Sequence, residues 1–209
     1  MSIELWIAFA LASAALLAAP GPTVLLVVSY ALGSGRRSGL ATVPGVALGD
    51  LTAMTVSLLG AGAVLAASTA LFTALKLVGA AYLVWLGIQL WRAGASPGEI
   101  AASQGGATGG PRMFWNAYVV TALNPKSVVF FIAFVPQFVD PTAPLLVQFA
   151  ILEATFVSLA AINAAIWALL AGQMRARLQE PRALRLVQRV GAGFLIGAGL
   201  LTALTRRTA

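Results

Sequence analysis

The sequence predicts an all-α polytopic membrane protein, with six transmembrane helices forming two inverted three-helix repeats whose first members, helices one and four, are broken. Three observations carry this reading. Of 209 residues, 60% are hydrophobic and 9% charged, and the mean hydropathy is +0.92, whereas an ordinary soluble domain carries about 25% charged residues. Six apolar stretches, each long enough at about 20 residues to cross a bilayer, use nearly the whole chain and leave no room for a sizeable soluble domain. Two of the six are interrupted near their middles, by Pro20-Gly21-Pro22 and by Asn124-Pro125-Lys126.

The first span covers about 3 to 31. It lacks a basic amino-terminal region, and its apolar run is too long for a secretory signal, so a retained helix is expected. The second runs from about 39 to 66, with Pro44 bending its start and Gly45 and Gly49 spaced for close helix approach. The third covers about 69 to 91 and the fourth about 113 to 138, with Pro136-Gln137 at its outer end. The fifth covers about 143 to 172 and the sixth about 186 to 204. Gly193 and Gly197 repeat the four-residue spacing, which makes the sixth helix the candidate contact of a homodimer. Trp85, Trp91, Trp115 and Trp167 are expected in interfacial belts or packing.

Residues 93 to 112 hold Gly94, Gly98, Gly105, Gly106, Gly109 and Gly110 and cannot build a core, so they read as a cytoplasmic linker. The chain divides into a first repeat, 1 to 92, and a second, 113 to 209, within one membrane domain. Three is odd, so the second group must cross in the opposite sense, as in inverted repeats. A broken first helix and an acid about a dozen residues into the second helix, Asp50 or Glu153, correspond between the halves. The net charge of +7 lies mainly between spans, a membrane pattern rather than a nucleic-acid stripe. Arg36 and Arg37 fall in the first connection, Arg92 and Arg112 in the third, and Arg175, Arg177, Arg182, Arg185 and Arg189 in or beside the fifth. The positive-inside rule then puts the odd connections in the cytoplasm and both termini on the periplasmic or extracellular side. Glu4 agrees with this orientation, and Arg206 and Arg207 oppose it.

A proline inside a spanning helix removes a backbone donor and frees a carbonyl, and lipid supplies nothing to pair with it. Such breaks commonly line a central cavity. Pro20, Gly21, Pro22 and Thr23 offer free carbonyls, a hydroxyl and a half-helix amino end suited to a carboxylate. Asn124, Pro125 and Lys126 do the same in the other half, with Asn124 able both to donate and to accept. Asp50 lies roughly 15 to 18 Å from the cytoplasmic side at 1.5 Å per residue, close to mid-depth. There, burial disfavours the charged carboxylate and a nearby cation favours it, a balance that allows proton exchange; a structural ion pair is the alternative. Lys126 calls for an acidic partner, Asp50 or Glu153. Lys76, about seven residues into the third helix, either serves the site or snorkels to the outer interface. Asn163 is expected to make a structural bond.

With these residues in place, the chain resembles the LysE/RhtB family of bacterial amino-acid exporters along nearly its full length. The resemblance rests on Pro20-Gly21-Pro22; on Gly33 to Gly49, with Arg37, Gly39, Gly45 and Gly49 leading into Asp50; on Lys76-Leu77-Val78-Gly79-Ala80-Ala81-Tyr82-Leu83 with Leu86-Gly87; and on Asn124-Pro125-Lys126 followed by Phe130-Phe131 and Pro136-Gln137-Phe138. It implies six helices in the bacterial inner membrane and proton-driven efflux of amino acids or close derivatives, of the homoserine, threonine or lysine type, by a dimer. Relatives in the wider superfamily handle metal ions or pass electrons through paired cysteines, and a chain with no histidine and no cysteine puts both in doubt.

The functional expectation is alternating access around a midplane site. Pro20 to Thr23 and Asn124 to Lys126 bind the substrate, and Asp50, Glu153 and Lys76 couple it to protons, without metal, cofactor or nucleic acid. The competing readings are a passive channel on the same polar line and an exporter of another small solute. An enzyme is disfavoured, because the spans show no convincing nucleophile and base pair, metal-ligand cluster or phosphate loop.

Overall fold

A computed structural model describes residues 1 to 92, 109 to 140 and 143 to 173, together with isolated positions between 189 and 204. The described residues are helical throughout, apart from short turns. Helix α1 (Ile3–Ala18) is capped by Ser2, whose hydroxyl accepts from the Leu5 N–H. It meets α2 (Pro22–Ser34) at a bend of 53°. Two prolines in three residues explain the bend: Pro20 and Pro22 lack the N–H groups that Leu16 and Ala18 carbonyls would otherwise accept four residues on.

Gly35, with φ of +88°, turns the chain from α2 into a short helix, α3 (Arg36–Ala41), and this left-handed conformation favours glycine. The first connection is therefore shorter than expected, and Arg36 and Arg37 sit exposed in the first turn of α3. A step at Thr42, two residues before Pro44, separates α3 from α4 (Val43–Ala67). The Thr42 hydroxyl donates to the Gly39 carbonyl at this step. Helix α5 (Thr69–Arg92) follows almost directly.

Beyond the undescribed segment, α6 (Gly110–Ala122) begins with Pro111 in its first turn, where a missing N–H costs nothing. Residues 110 to 112, expected in the linker, thus belong to a helix that Gly109 precedes; residues 93 to 108 of that linker and most of the sixth span lie outside the described residues. Helix α7 (Pro125–Ala133) continues from α6 through a bend of 44° and ends in a 3-10 turn, Val135–Phe138. Pro136 and Gln137 therefore do mark the end of the span. Helix α8 (Leu145–Gln173) is unbroken.

Among the described residues, two helices are long and apolar enough to cross a membrane, Arg36–Gly60 and Leu145–Ala171, and each bent pair forms one further broken span. Helix α8 is a central post touching α1, α2, α3 and α4, and α4 packs most extensively on α6. Both contacts are close because the facing residues are small. A Cβ at Gly45 would lie 2.3 Å from the Phe114 carbonyl oxygen, and one at Gly49 would lie 2.8 Å from the Tyr118 carbonyl oxygen. The four-residue glycine spacing in α4 therefore serves packing within the chain. Gly39 packs in the same way on Ala31 and on Ala168 of α8.

The core of the described residues has three parts. Phe9, Phe130, Phe131, Phe134, Phe138 and Phe156 interlock with Met54 and Leu58 in one. Val27, Val46, Ala117, Ala164 and Ala168 form a second, and Val24, Val28, Ala31 and Ala171 a third. Leu11, Val56, Leu59, Leu146, Ile162 and Ile166 point outward, as expected of a bundle whose solvent is hydrocarbon.

Candidate functional site

A small cavity is bordered by residues of all three parts of the core. Leu17, Gly21, Thr23 and Val24 line it from the first break, Asn124, Lys126 and Ser127 from the second, Asp50 from α4, and Ala160, Asn163 and Ala164 from α8. Its free space is about 20 Å³, room for about one water molecule. An amino acid does not fit in this conformation. The two sequence-distant breaks therefore converge on one buried, polar spot.

The geometry of the breaks follows from the donors that the prolines remove. The Leu16 carbonyl would accept from residue 20, which as proline has no N–H; Lys126 Nζ donates to it instead at 3.1 Å, and also to the Ala19 carbonyl at 2.9 Å. The Leu17 carbonyl accepts from Asn163 Nδ2 at 3.1 Å. Asn163 thus makes the structural bond expected of it and also lines the cavity. Gly21 stands under the ammonium, where a Cβ would come 3.1 Å from Lys126 Nζ. Pro20 creates the free carbonyl, Gly21 leaves space for the ammonium, and Pro22 opens α2 with its fixed φ. The amino end of α2 has no side-chain cap.

In the second half the break is closed locally. The Thr121 carbonyl, whose acceptance from residue 125 is prevented by proline, takes the Asn124 N–H at 3.1 Å. Asn124 Oδ1 then caps α7 by accepting from the Lys126 N–H at 3.1 Å. Thr23 joins the halves: its hydroxyl shares a hydrogen bond with that of Thr121 at 3.2 Å and accepts from Asn124 Nδ2 at 3.4 Å.

Asp50 is only 2% exposed, and among the described residues its Oδ1 has no hydrogen-bond partner. A buried carboxylate oxygen with no donor is costly. Lys126, 8% exposed, lines the same cavity and supplies an opposing charge. Glu153 lies elsewhere: it is partly exposed on α8 and accepts from the Thr55 hydroxyl at 2.5 Å, outside the cavity lining. Lys76 belongs to α5, and its side chain lies outside the described residues. The site thus assembles Gly21, Thr23, Asp50, Asn124 and Lys126 of the expected set, with Pro20, Pro22 and Pro125 shaping the backbone. Sequence reasoning missed Thr121, Ser127 and the carbonyls of Leu16 and Ala19. Counting four residues back from Pro20 and Pro125 would have found Leu16 and Thr121; that spacing does not mark Ala19.

A family model described as a LysE type translocator matches residues 14–206. An "Uncharacterized membrane protein" of Vibrio cholerae is 33% identical over 203 residues, covering 97% of this chain and 98% of that one. A "Homoserine/homoserine lactone efflux protein" of Salmonella typhimurium is 32% identical over 206 residues, 99% of each chain. A "Leucine efflux protein" of an Enterobacter species is 32% identical over 125 residues, 59% of this chain and 58% of that one. No solved structure matches.

Proposed function

The chain belongs to the LysE type translocator family, a multi-pass membrane transporter and not an enzyme, and from that premise we propose that it exports amino acids or close derivatives by proton antiport. The full-length relative named for homoserine and homoserine lactone efflux supports homoserine-like solutes as the substrate class. The observation that carries the mechanism is the convergence of both broken spans on Asp50 and Lys126 in one cavity.

In this reading the chain crosses the bacterial inner membrane six times as two inverted repeats, with both termini outside, and works as a dimer. A zwitterion places its carboxylate on the amide donors of the breaks and its ammonium near Asp50. Protonation of Asp50 from outside discharges the ammonium, because one carboxyl cannot hold both. Charge of one sign at a time gives exchange. A space sized for one water favours a carrier that must open on one side over a standing pore. Asp50 is preferred over Glu153 as the coupling acid because it lines the cavity.

The test uses proteoliposomes loaded with labelled homoserine, homoserine lactone, leucine and lysine, with and without an imposed proton gradient. Gradient-driven loss of a subset is expected. Asp50→Asn should abolish the response to the gradient; an unchanged response would reject Asp50 as the coupling group. Equal leakage of solutes with no accumulation against a gradient would replace the carrier with a channel.

A further inference from the structure

The two carbonyls that close the first break already hold an alkylammonium. Lys126 Nζ reaches from the start of α7 to the Leu16 and Ala19 carbonyls at 3.1 and 2.9 Å. It does so over Gly21, where any side chain would crowd it. Nothing in α1 needs a lysine in particular. Leu17, next in line, is satisfied by the neutral amide of Asn163, so a carbonyl freed by this break can be paired without charge. At Leu16 and Ala19 the negative end of the α1 dipole adds to two carbonyl oxygens, which is a cation site by chemistry.

We infer that the Leu16 and Ala19 carbonyls form the ammonium subsite of the transporter, and that Lys126 occupies it as a tethered stand-in until the substrate's own ammonium displaces it. This inference deepens the export reading and rests on it for the identity of the substrate. The primary ammonium of an amino acid matches the lysine ammonium in charge, in size and in its three donors. Displacement frees Lys126 to turn toward Asp50, whose Oδ1 lacks a donor among the described residues, or toward the incoming carboxylate. It also releases the bond between α7 and the end of α1. Arrival of substrate and loosening of the two halves become one event. Asp50 then balances the pair of cations now sharing the cavity, and its protonation removes that balance and discharges the substrate's ammonium from the carbonyls.

The test removes the tether and supplies the cation separately. Lys126→Ala leaves space beside the two carbonyls for a short alkylammonium, and n-propylammonium is the probe, with 1-butanol as the neutral control of similar length. Purified Lys126→Ala protein should be thermally stabilised by n-propylammonium in a saturable way, with little response to 1-butanol and little response from the unmodified protein. Homoserine should compete with n-propylammonium in the variant and bind it at least several-fold more tightly than it binds the unmodified protein. If the variant does not survive solubilisation alone, recovery of monodisperse protein with each compound is the readout, and rescue by n-propylammonium but not 1-butanol is the expected result. Equal effects of both compounds, or none from either, would overturn the subsite. Homoserine binding weakened by removal of Lys126 would overturn its role as a stand-in. Failure of the export reading is separable: homoserine would then neither be transported nor compete, while the response to n-propylammonium would persist.

Discussion

Replacing Lys126 by methionine, which keeps the unbranched stem of the side chain and deletes its ammonium with the charge and donors, isolates the electrostatics of the cavity. Two hydrogen bonds to backbone carbonyls, at 3.1 and 2.9 Å, are lost. Leaving each buried carbonyl unpaired costs about 1–3 kcal/mol. Asp50 also loses the nearby opposing charge at 2% exposure, which adds to the cost of the two unpaired carbonyls, about 2–6 kcal/mol together. Lys126→Met should therefore lower stability by about 2–6 kcal/mol. The informative comparison is the double variant. Asp50→Asn in the Lys126→Met background removes the stranded carboxylate, so the two losses should fall short of additivity by about 1–3 kcal/mol, whereas independent sites add to within about 0.5 kcal/mol. The assay is reversible unfolding of the purified protein in mixed micelles, as a function of denaturing detergent, for all four members of the cycle. Strict additivity would refute the argument that these two groups compensate one another, and a loss below about 1 kcal/mol for Lys126→Met would refute the role of the carbonyl bonds.

Two further outcomes follow from packing and capping. Gly45→Ala should destabilise by about 1–3 kcal/mol, because its Cβ meets the Phe114 carbonyl oxygen at 2.3 Å. Gly60→Ala, in the same helix but with nothing within 4 Å, should be neutral or stabilising by up to about 1 kcal/mol; thermal melting of both in detergent checks the contrast, and equal melting shifts would contradict it. Asn124→Ala should cost about 1–2 kcal/mol through loss of the cap on α7. Hydrogen exchange would locate that loss, with faster exchange expected at the Lys126 amide and protection unchanged along α8.

Much of the bundle was legible because bilayer thickness imposes a length and hydrocarbon imposes a composition, and both are readable in a linear sequence. The breaks were legible for the same reason: Pro20, Pro22 and Pro125 state where backbone bonds are missing. What replaces those bonds was less visible. That Lys126 supplies a donor to Leu16 depends on how α7 crosses α1, a separation of 110 residues that local spacing does not encode. Asp50 and Glu153 looked equivalent by their depth in two corresponding helices. They differ by the angle each presents around its helix axis, and small neighbours decide that angle: Gly45 and Gly49 seat α4 on α6 and leave Asp50 inward. The hydrophobic pattern gave little help, since a helix surrounded partly by lipid is apolar on every side.

The arrangement of bonds around the cavity bears on how such a protein can move at all. A helix in lipid cannot open its backbone ladder, because no water is present to take up the exposed groups. A transporter must therefore place its exchangeable bonds where backbone pairing is already absent, and proline is the means of making it absent. Around this cavity the ties between the halves run through side chains: Lys126 to Leu16 and Ala19, Asn124 to Thr23, and Thr23 to Thr121. Each can be traded for a bond to a polar solute at little net cost, since hydrogen bonds are exchanged rather than lost. The apolar packing on either side, the phenylalanine cluster and the small-residue seam of α4 with α6, offers no such exchange and holds its shape. In the proposed export cycle, movement is therefore expected in the plane of the two breaks, bent by 53° and 44°, with a solute able to replace those side-chain bonds as the agent that permits it.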